Sequence, residues 1–421
     1  MAHTAKLFTF WLGPIPAVCS SDPEMVQQIL THPDCMEKPF MYDFVKLDHG
    51  MFAAKYHIWK VQRKRYNPTF NQKILQGYVP IFEERCQALV DKLRTKAASG
   101  ASFPLSPHML RCAMEMVCAT TMGVDINQNP GADRLVHLMQ TLQSKFFGFE
   151  NLSTSPLSRL LAFSAVDPVF MFSPVSSTVT VTVINPGCYY RSITSTSFCS
   201  TFMEGKLSVD SPCQVFKECL NRKEKENEQF TNNNNDYESD GYRRPQTFIN
   251  ELLDLFQSKQ IDEIEILHNI YTMVVAGSDT SGGQMALLVM MLGFHPDLQE
   301  KVYQEVIEVF PPGVKLEITF ESLRRLEYTE MFIKEVLRLY PIAPNIMRCS
   351  LKDVQLMEGL TVPKDTIFIF NIYNLHRRPD IWGPDAEQFD PERFSPERSA
   401  GRHPFAFLPF SGGGRNCIGH L

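Results

Sequence analysis

The chain has 421 residues, of which 44% are hydrophobic and 21% are charged, so it can bury a large core. Its length alone allows two or three domains or one large helical domain. The formal net charge of -6 provides no basic surface for nucleic acid, which is therefore not an expected partner. The eleven cysteines include no C-x-x-C pair, which disfavours a zinc site or a secreted disulfide framework and predicts mostly reduced, buried thiols.

The N-terminal stretch predicts two short strands followed by a helix. Residues 7–12 and 17–18 have strand character, and Asp22 before Pro23 is a helix N-cap signal. Residues 1–10 contain no long apolar run, so neither a signal peptide nor a membrane span is predicted there.

The next predicted helix places Trp59 and Arg63 on one face, because residues four positions apart are neighbours on a helix. An indole N–H and a guanidinium so placed can converge on one anion. The alternative is a solvated basic face, to which Lys60, Lys64 and Arg65 add positive charge.

The middle of the chain is uneven in character. Residues 78–142 have the apolar spacing of helices, which predicts core packing for Cys86 and Val90 among others. Residues 174–199 instead alternate like a strand and are rich in Ser and Thr. They are either a genuine insertion or translated non-coding sequence. Residues 221–245 are charged and rich in Asn, which predicts a flexible linker.

A long apolar helix is predicted over residues 261–292, and its middle breaks the rules for helices. Gly277 is unfavourable by propensity and Asp279 by desolvation, and Thr280 follows directly. Such breaks often mark a functional site. The structural alternative is a kink in which the threonine hydroxyl bonds back to the helix.

Glu335 and Arg338 lie three positions apart on a further predicted helix and can form an ion pair. An exposed pair of this kind contributes less than about 1 kcal/mol and would be surface decoration. Prolines then end the helix and predict the extended chain that contains Arg348. His376, further on, is predicted to pack or cap and not to bind a ligand.

Residues 410–419 form a loop with four glycines around Cys417. A thiolate that serves as a metal ligand needs backbone amides directed at its sulfur, and glycines let the backbone approach closely enough to supply them. The alternative is a glycine-rich turn with an ordinary buried thiol. Five positions nevertheless fit the spacing F-x-x-G-x-R-x-C-x-G, which a chance match rarely provides.

This loop resembles the haem-binding loop of cytochrome P450 monooxygenases. The resemblance implies haem b with the Cys417 thiolate on the iron, an arrangement that favours cleavage of bound dioxygen. It also implies propionate contacts from several side chains and a shielding phenylalanine beside the cysteine. The residues so assigned to the cofactor are Cys417, Arg415, Phe410, Gly413, Trp59, Arg63 and Arg348, with Cys417 as the metal ligand.

The two other motifs match the same family. By resemblance, Thr280 positions a water or hydroperoxide, Asp279 delivers protons from solvent, and Gly277 leaves room for the flat cofactor. Arg393 is expected to close a buried structural network with Glu335 and Arg338.

The chain generally resembles the microsomal branch of the family that includes fatty-acid omega-hydroxylases and their insect relatives. Many of these carry a glutamate just before the motif glycine, and that glutamate can form an ester with haem. Ala276 occupies this position here, so no such ester is expected and fatty-acid hydroxylation gains no support.

The expected fold is mainly α with a small β region (α+β), with a long central helix over the haem. The expected organisation is one domain over residues 1–421, with residues 174–245 as an atypical insert or linker. The resemblance implies insertion of one oxygen atom from dioxygen into a small apolar substrate. Electrons would come from an NADPH-dependent cytochrome reductase, for which Lys60, Lys64 and Arg65 are a candidate docking face.

The family resemblance also implies the cytosolic face of the endoplasmic reticulum membrane for the full-length form. The sequence is expected to lack the family's anchor at one end and the segments that follow the cysteine loop at the other. One alternative is therefore a haem-binding remnant or truncated product without catalysis. A family member that isomerises peroxides without a reductase is disfavoured because Asp279 and Thr280 are both present.

Overall fold

The computed structural model describes residues 7–12, 15–45, 47–100, 102–128, 247–313, 318–356 and 359–420. The predicted insert or linker at 174–245 lies outside these residues.

Helices make up most of the described structure, and one mixed sheet and one short hairpin complete it. The helices are α1 (Pro23–Thr31), α2 (Tyr56–Tyr66), α3 (Gln72–Ala98), α4 (Ser106–Val117), α5 (Phe248–Gln257), α6 (Glu263–Phe294), α7 (Pro296–Val309), α8 (Phe320–Arg324), α9 (Glu327–Leu339), α10 (Ile372–Leu375), α11 (Pro379–Trp382) and α12 (Pro396–Ser399). The strands are β1 (Phe8–Leu12), β2 (Ile15–Ser20), β3 (Asn345–Cys349), β4 (Val354–Gln355), β5 (Thr361–Val362) and β6 (Ile367–Asn371).

The four-stranded sheet has the order β1-β2-β6-β3 and brings together distant parts of the chain. Strand β2 pairs in parallel with β6, so that Ala17 lies opposite Ile367. Strand β6 also pairs antiparallel with β3, which carries Arg348. The strands predicted near residues 7–12 and 17–18 and the extended chain around Arg348 are therefore confirmed. Strand β4 pairs with β5 in the separate hairpin.

The long predicted helix is α6, which spans 32 residues, about 48 Å. It begins where the Asp262 side chain accepts a hydrogen bond from the Glu265 amide, and it ends before Pro296. Most of its buried residues lie in its first half, and the apolar ones belong to the largest apolar cluster of the described residues, together with α5 and parts of α2. Helix α6 is therefore the central element on which the site is built.

Helices α3 and α4 replace the single helical region predicted for residues 78–142, whose last part lies outside the described residues. The prediction that this region is core is wrong for α3: Cys86 and Val90 are exposed, and Ile74 is its one buried residue. Helix α4 does fulfil it, with six buried residues. Apolar spacing alone did not distinguish a helix on the surface from one inside.

The described residues thus form a mainly α structure with a small β region, as predicted. No helix among them is long and apolar enough to cross a membrane.

Candidate functional site

The loop of residues 410–419 lies against the C-terminal end of α1. Gly413 has a φ of +69°, and a Cβ at this position would collide with the carbonyl oxygen of Leu30. Only glycine therefore fits here. The loop closes where the Cys417 amide donates a hydrogen bond to the Phe410 carbonyl, 2.9 Å away.

Cys417 is exposed as a residue, although protein packed around its thiol raises the pKa of that thiol. The backbone of Gly419 and the charge of Arg63 act in the opposite direction and favour the thiolate. Phe410 is 43% exposed, so its predicted shielding of the cysteine stays a prediction. The loop thus presents a sulfur whose neighbours include one cation and one backbone donor.

Helix α2 contacts the cysteine loop through both of its predicted site residues. Arg63 donates from its two terminal nitrogens to the Asn416 carbonyl at 2.7 Å and to Asn416 Oδ1 at 2.8 Å. The Trp59 ring is buried, and the guanidinium carbon of Arg415 lies 4.8 Å from its centroid. The residues that sequence analysis placed near one anion are therefore grouped around the loop.

Beside this contact, three positive side chains are buried together. Arg348, Arg415 and Lys38 have exposed fractions of 1%, 7% and 8%. In the described part of the chain none of them forms an ion pair. Burial lowers the pKa of all three, and for Lys38 and Arg415 the neighbouring cations lower it further, that of Arg415 to about 9. We call these residues the cation cluster.

The contacts within the cation cluster leave donors to spare. Arg415 donates to the carbonyls of Met36 and Ala54 at 2.9 and 2.6 Å. Arg348 donates to the Arg415 carbonyl at 3.3 Å, but its Nε is buried without a hydrogen-bond partner. The Lys38 ammonium lies 3.9 Å from the centroid of the Tyr42 ring. Buried charges of one sign with an unpaired donor fit an anionic group, as the propionates of haem would provide.

Lys38 is the member of the cluster that sequence analysis missed. It lies outside every recognised motif, in the connection between α1 and α2. A lone lysine in a loop is ordinarily solvated, so its sequence context carries no signal. Only the tertiary position next to Arg348 and Arg415 reveals it.

Helix α6 presents its motif at the boundary between buried and open surface. Ala276 and Thr280, one turn apart, are exposed, whereas Ser278 between them is buried. The Thr280 hydroxyl donates to the Ala276 carbonyl at 2.7 Å, which is the back-bonded geometry of the structural alternative. It makes no hydrogen bond to the cysteine loop among the described residues, but its oxygen retains lone pairs that can accept from water.

Two glycines of α6, Gly277 and Gly282, lie where α4 packs against this helix. A Cβ on Gly277 would lie 2.8 Å from Val117 Cγ2, and one on Gly282 would lie 2.6 Å from Leu110 Cα. Both glycines therefore let α4 approach closely. The contact with Val117 gives Gly277 a packing role, and its predicted role of making room for a cofactor stays a prediction. The neighbouring small residue that is exposed is Ala276.

The predicted network of Glu335 is buried and closely bonded. Arg338 contacts Glu335 through two hydrogen bonds of 2.6 and 2.7 Å, and Arg393 Nε lies 3.5 Å from Glu335 Oε1. All three side chains are at most 1% exposed. The reading of Glu335 and Arg338 as surface decoration is therefore wrong.

His376 connects this network to the approach of the cysteine loop. Its Nε2 accepts from the Leu408 amide at 2.8 Å, so the proton sits on Nδ1, which donates to the Arg338 carbonyl at 3.2 Å. Burial lowers the pKa of His376 to about 3. The histidine is thus a neutral packing residue, in agreement with the sequence prediction.

Comparison with known proteins agrees with this geometry. The family model described as Cytochrome P450 matches residues 2–164 and 194–421. The chain belongs to the cytochrome P450 family. The unmatched residues 165–193 overlap the strand-like stretch that sequence analysis singled out.

Insect P450s are among the most similar relatives. The chain is 30% identical to cytochrome P450 4c21 of Blattella germanica, over 98% of this chain and 76% of the relative. It is 28% identical to probable cytochrome P450 313a1 of Drosophila melanogaster, over 97% and 75% of the two chains. Cytochrome P450 4c3 of the same fly is 29% identical over 97% and 72%. The predicted placement among P450s, in the branch with insect members, is confirmed. Membership in this family implies a haem-iron cofactor bound by a cysteine thiolate and monooxygenase chemistry.

Proposed function

We propose that this P450 inserts one atom of dioxygen into a small apolar organic substrate, with electrons from an NADPH-dependent reductase. The observation that carries the proposal is the cation cluster beside the cysteine loop. Its buried positive charges and the unpaired Nε of Arg348 suit the two propionates of haem b. Cys417 belongs to the neighbouring loop, and its thiolate would bind the iron.

Each residue near the loop has a distinct task in this proposal. Arg348, Arg415 and Lys38 would hold the propionates, while the Trp59 ring packs against the Arg415 guanidinium. Arg63 fixes Asn416 and lowers the pKa of the neighbouring Cys417 thiol, which favours its ligating form. Gly413 and Phe410 shape the loop around the sulfur.

Haem iron, when bound, supplies the activation of dioxygen. The protein's part is to deliver protons while it limits the access of water to the site. The Thr280 hydroxyl donates its hydrogen bond to the Ala276 carbonyl. Its oxygen can therefore accept a hydrogen bond from a water molecule and position that water. Asp279, the residue before Thr280 in α6, would exchange protons with solvent.

Electron supply and location follow from the same reading. Lys60 and Lys64 are exposed on α2, the helix that holds the cysteine loop through Arg63. With Arg65 they form a basic face suited to an acidic reductase. We propose the cytosolic face of the endoplasmic reticulum membrane as the location of this P450, by resemblance to the microsomal branch of the family.

The first test is the absorption spectrum of the purified chain with haem, reduced under carbon monoxide. Thiolate ligation predicts a strongly red-shifted Soret band that is lost in Cys417→Ser. Cys86→Ser is the matched control, because Cys86 is also an exposed free cysteine but belongs to α3, and it should keep the band. A band in Cys417→Ser equal to that of the wild type would overturn the ligand assignment.

The second test separates a working oxygenase from a haem-binding remnant. With reductase and NADPH, the haem-loaded chain should consume dioxygen, and Asp279→Asn should slow this by about a hundredfold while the spectrum is unchanged. Haem uptake without NADPH-dependent dioxygen consumption would assign the chain to the remnant class.

A further inference from the structure

Two free cysteines lie where α3 packs against α4, apart from the residues assigned to haem. Cys86 is exposed on α3, and Cys112 is buried on α4. The two thiols interact closely enough for each to shift the pKa of the other. Cys112 Sγ also lies 3.6 Å from the carbonyl oxygen of Arg85, the residue before Cys86. One thiol of the pair is thus open to small reagents, and the other is held within its reach.

The two cysteines lie on helices that differ in how firmly they are packed into the fold. Helix α3 has one buried residue, Ile74, along its 27 residues. Near the two cysteines, α3 is also held by an ion pair in which a terminal nitrogen of Arg85 lies 3.1 Å from Asp125 Oδ2. Helix α4, by contrast, contacts the backbone of α6 at Gly282. A covalent bond between the two cysteines would therefore tie a weakly buried surface helix to the helix that supports the centre of the fold.

We propose that Cys86 and Cys112 form a reversible disulfide when the chain meets a small disulfide oxidant such as oxidised glutathione. The Cys86 thiolate attacks one sulfur of glutathione disulfide, and a glutathione thiolate leaves. Cys112 then gives its proton to the second departing glutathione as its sulfur displaces it from Cys86. Two protein thiols are oxidised and one glutathione disulfide is reduced to two thiols, so atoms and electrons balance.

The interaction with Cys112 favours the thiolate form of Cys86, which the first step requires. It lowers the pKa of Cys86 to about 7, against an ordinary value of 9.0, and raises the pKa of Cys112. At neutral pH the exposed cysteine is therefore substantially the attacking thiolate, while the buried one waits as the resolving thiol. The reducing interior of a cell keeps the pair open until an oxidant accumulates.

The experiment exposes the full chain to oxidised glutathione, alkylates the remaining thiols and maps the digested peptides by mass spectrometry. A peptide pair linked through Cys86 and Cys112, lighter by two hydrogen atoms and released by dithiothreitol, is expected. Cys86→Ser should lose the link and leave Cys112 without bound glutathione, because Cys112 is buried. Cys118→Ser, which changes another buried cysteine just after α4, should keep the link.

Hydrogen exchange tests the mechanical consequence on the same samples. Exchange of α3 amides should slow by about tenfold in the oxidised wild type and be unchanged in treated Cys86→Ser. Glutathione retained on Cys86 with a free Cys112, or a linked chain with unaltered α3 exchange, would overturn the proposal. Neither readout depends on haem, so it fails or holds independently of the proposed function.

Discussion

Replacing Glu335 by glutamine tests whether the buried network stabilises the fold. Glutamine keeps the size of the side chain and can still accept from the Asp390 amide, which lies 2.9 Å from Glu335 Oε1. The substitution removes the one negative charge between Arg338 and Arg393, which are 0% and 1% exposed. Loss of one partner of a buried pair costs about 3–5 kcal/mol, because the remaining charge stays buried. Here the uncompensated charge is that of Arg338, since Arg393 keeps its ion pair with Asp385 at 2.7 Å. We therefore expect the folding equilibrium constant to fall by about a hundredfold to several thousandfold.

The same helix offers a matched control. Glu330 forms an ion pair of 2.7 Å with Lys334 in α9, but both side chains are largely exposed. Glu330→Gln should cost less than about 1 kcal/mol. Urea unfolding can be followed by tryptophan fluorescence, to which Trp382 contributes from 5.1 Å beside Arg338. Equal unfolding midpoints for Glu335→Gln and Glu330→Gln would refute the claim that burial makes this pair matter.

Three further predictions concern backbone contact, charge and protonation. Gly282→Ala should destabilise the chain by about 1–3 kcal/mol in urea unfolding, because its Cβ would meet the backbone of α4, whereas Gly293→Ala in the same helix meets nothing and should be neutral or stabilising. Lys38→Met should weaken haem binding by about tenfold to a hundredfold in a Soret titration, and the exposed Lys60→Met should leave it unchanged. Because burial lowers the pKa of His376 from its ordinary 6.5 to about 3, the unfolded chain gains a proton below about pH 6.5 that the folded chain refuses. Stability measured by urea unfolding should therefore fall by about 2 kcal/mol between pH 7 and pH 5 through this residue, a loss that His376→Gln should not show.

Local rules predicted the elements that bear the site. The start of α6 at Asp262 follows from a side-chain cap, and the grouping of Trp59 with Arg63 follows from helical periodicity. The position of Gly413 against Leu30 agrees with a residue type that a motif required. In each case the physical cause acts within a few residues or within a loop of characteristic spacing.

What the sequence did not reveal depends on tertiary neighbours. Lys38 can be recognised as a site residue only from its position next to Arg348 and Arg415, which are more than 300 positions away in the sequence. Gly277 is explained by Val117 of another helix, and the exposure of Cys86 on α3 contradicts its apolar spacing. Hydrophobic periodicity indicates which face of a helix is apolar, but it does not indicate how much protein covers that face.

The parallel pairing of β2 with β6 has a consequence for synthesis on the ribosome. Arg63 and Asn416 are separated by 353 positions, and Ala17 pairs with Ile367 over a similar span. At a translation rate of about 5–20 residues per second, a growing chain holds α2 and β2 for about 20 to 70 seconds before their partners emerge. Throughout that interval β2 presents an unpaired edge, a feature that attracts other strands and chaperones. The cofactor site is consequently completed late, when residues 348–417 pack against helices and strands that were synthesised much earlier.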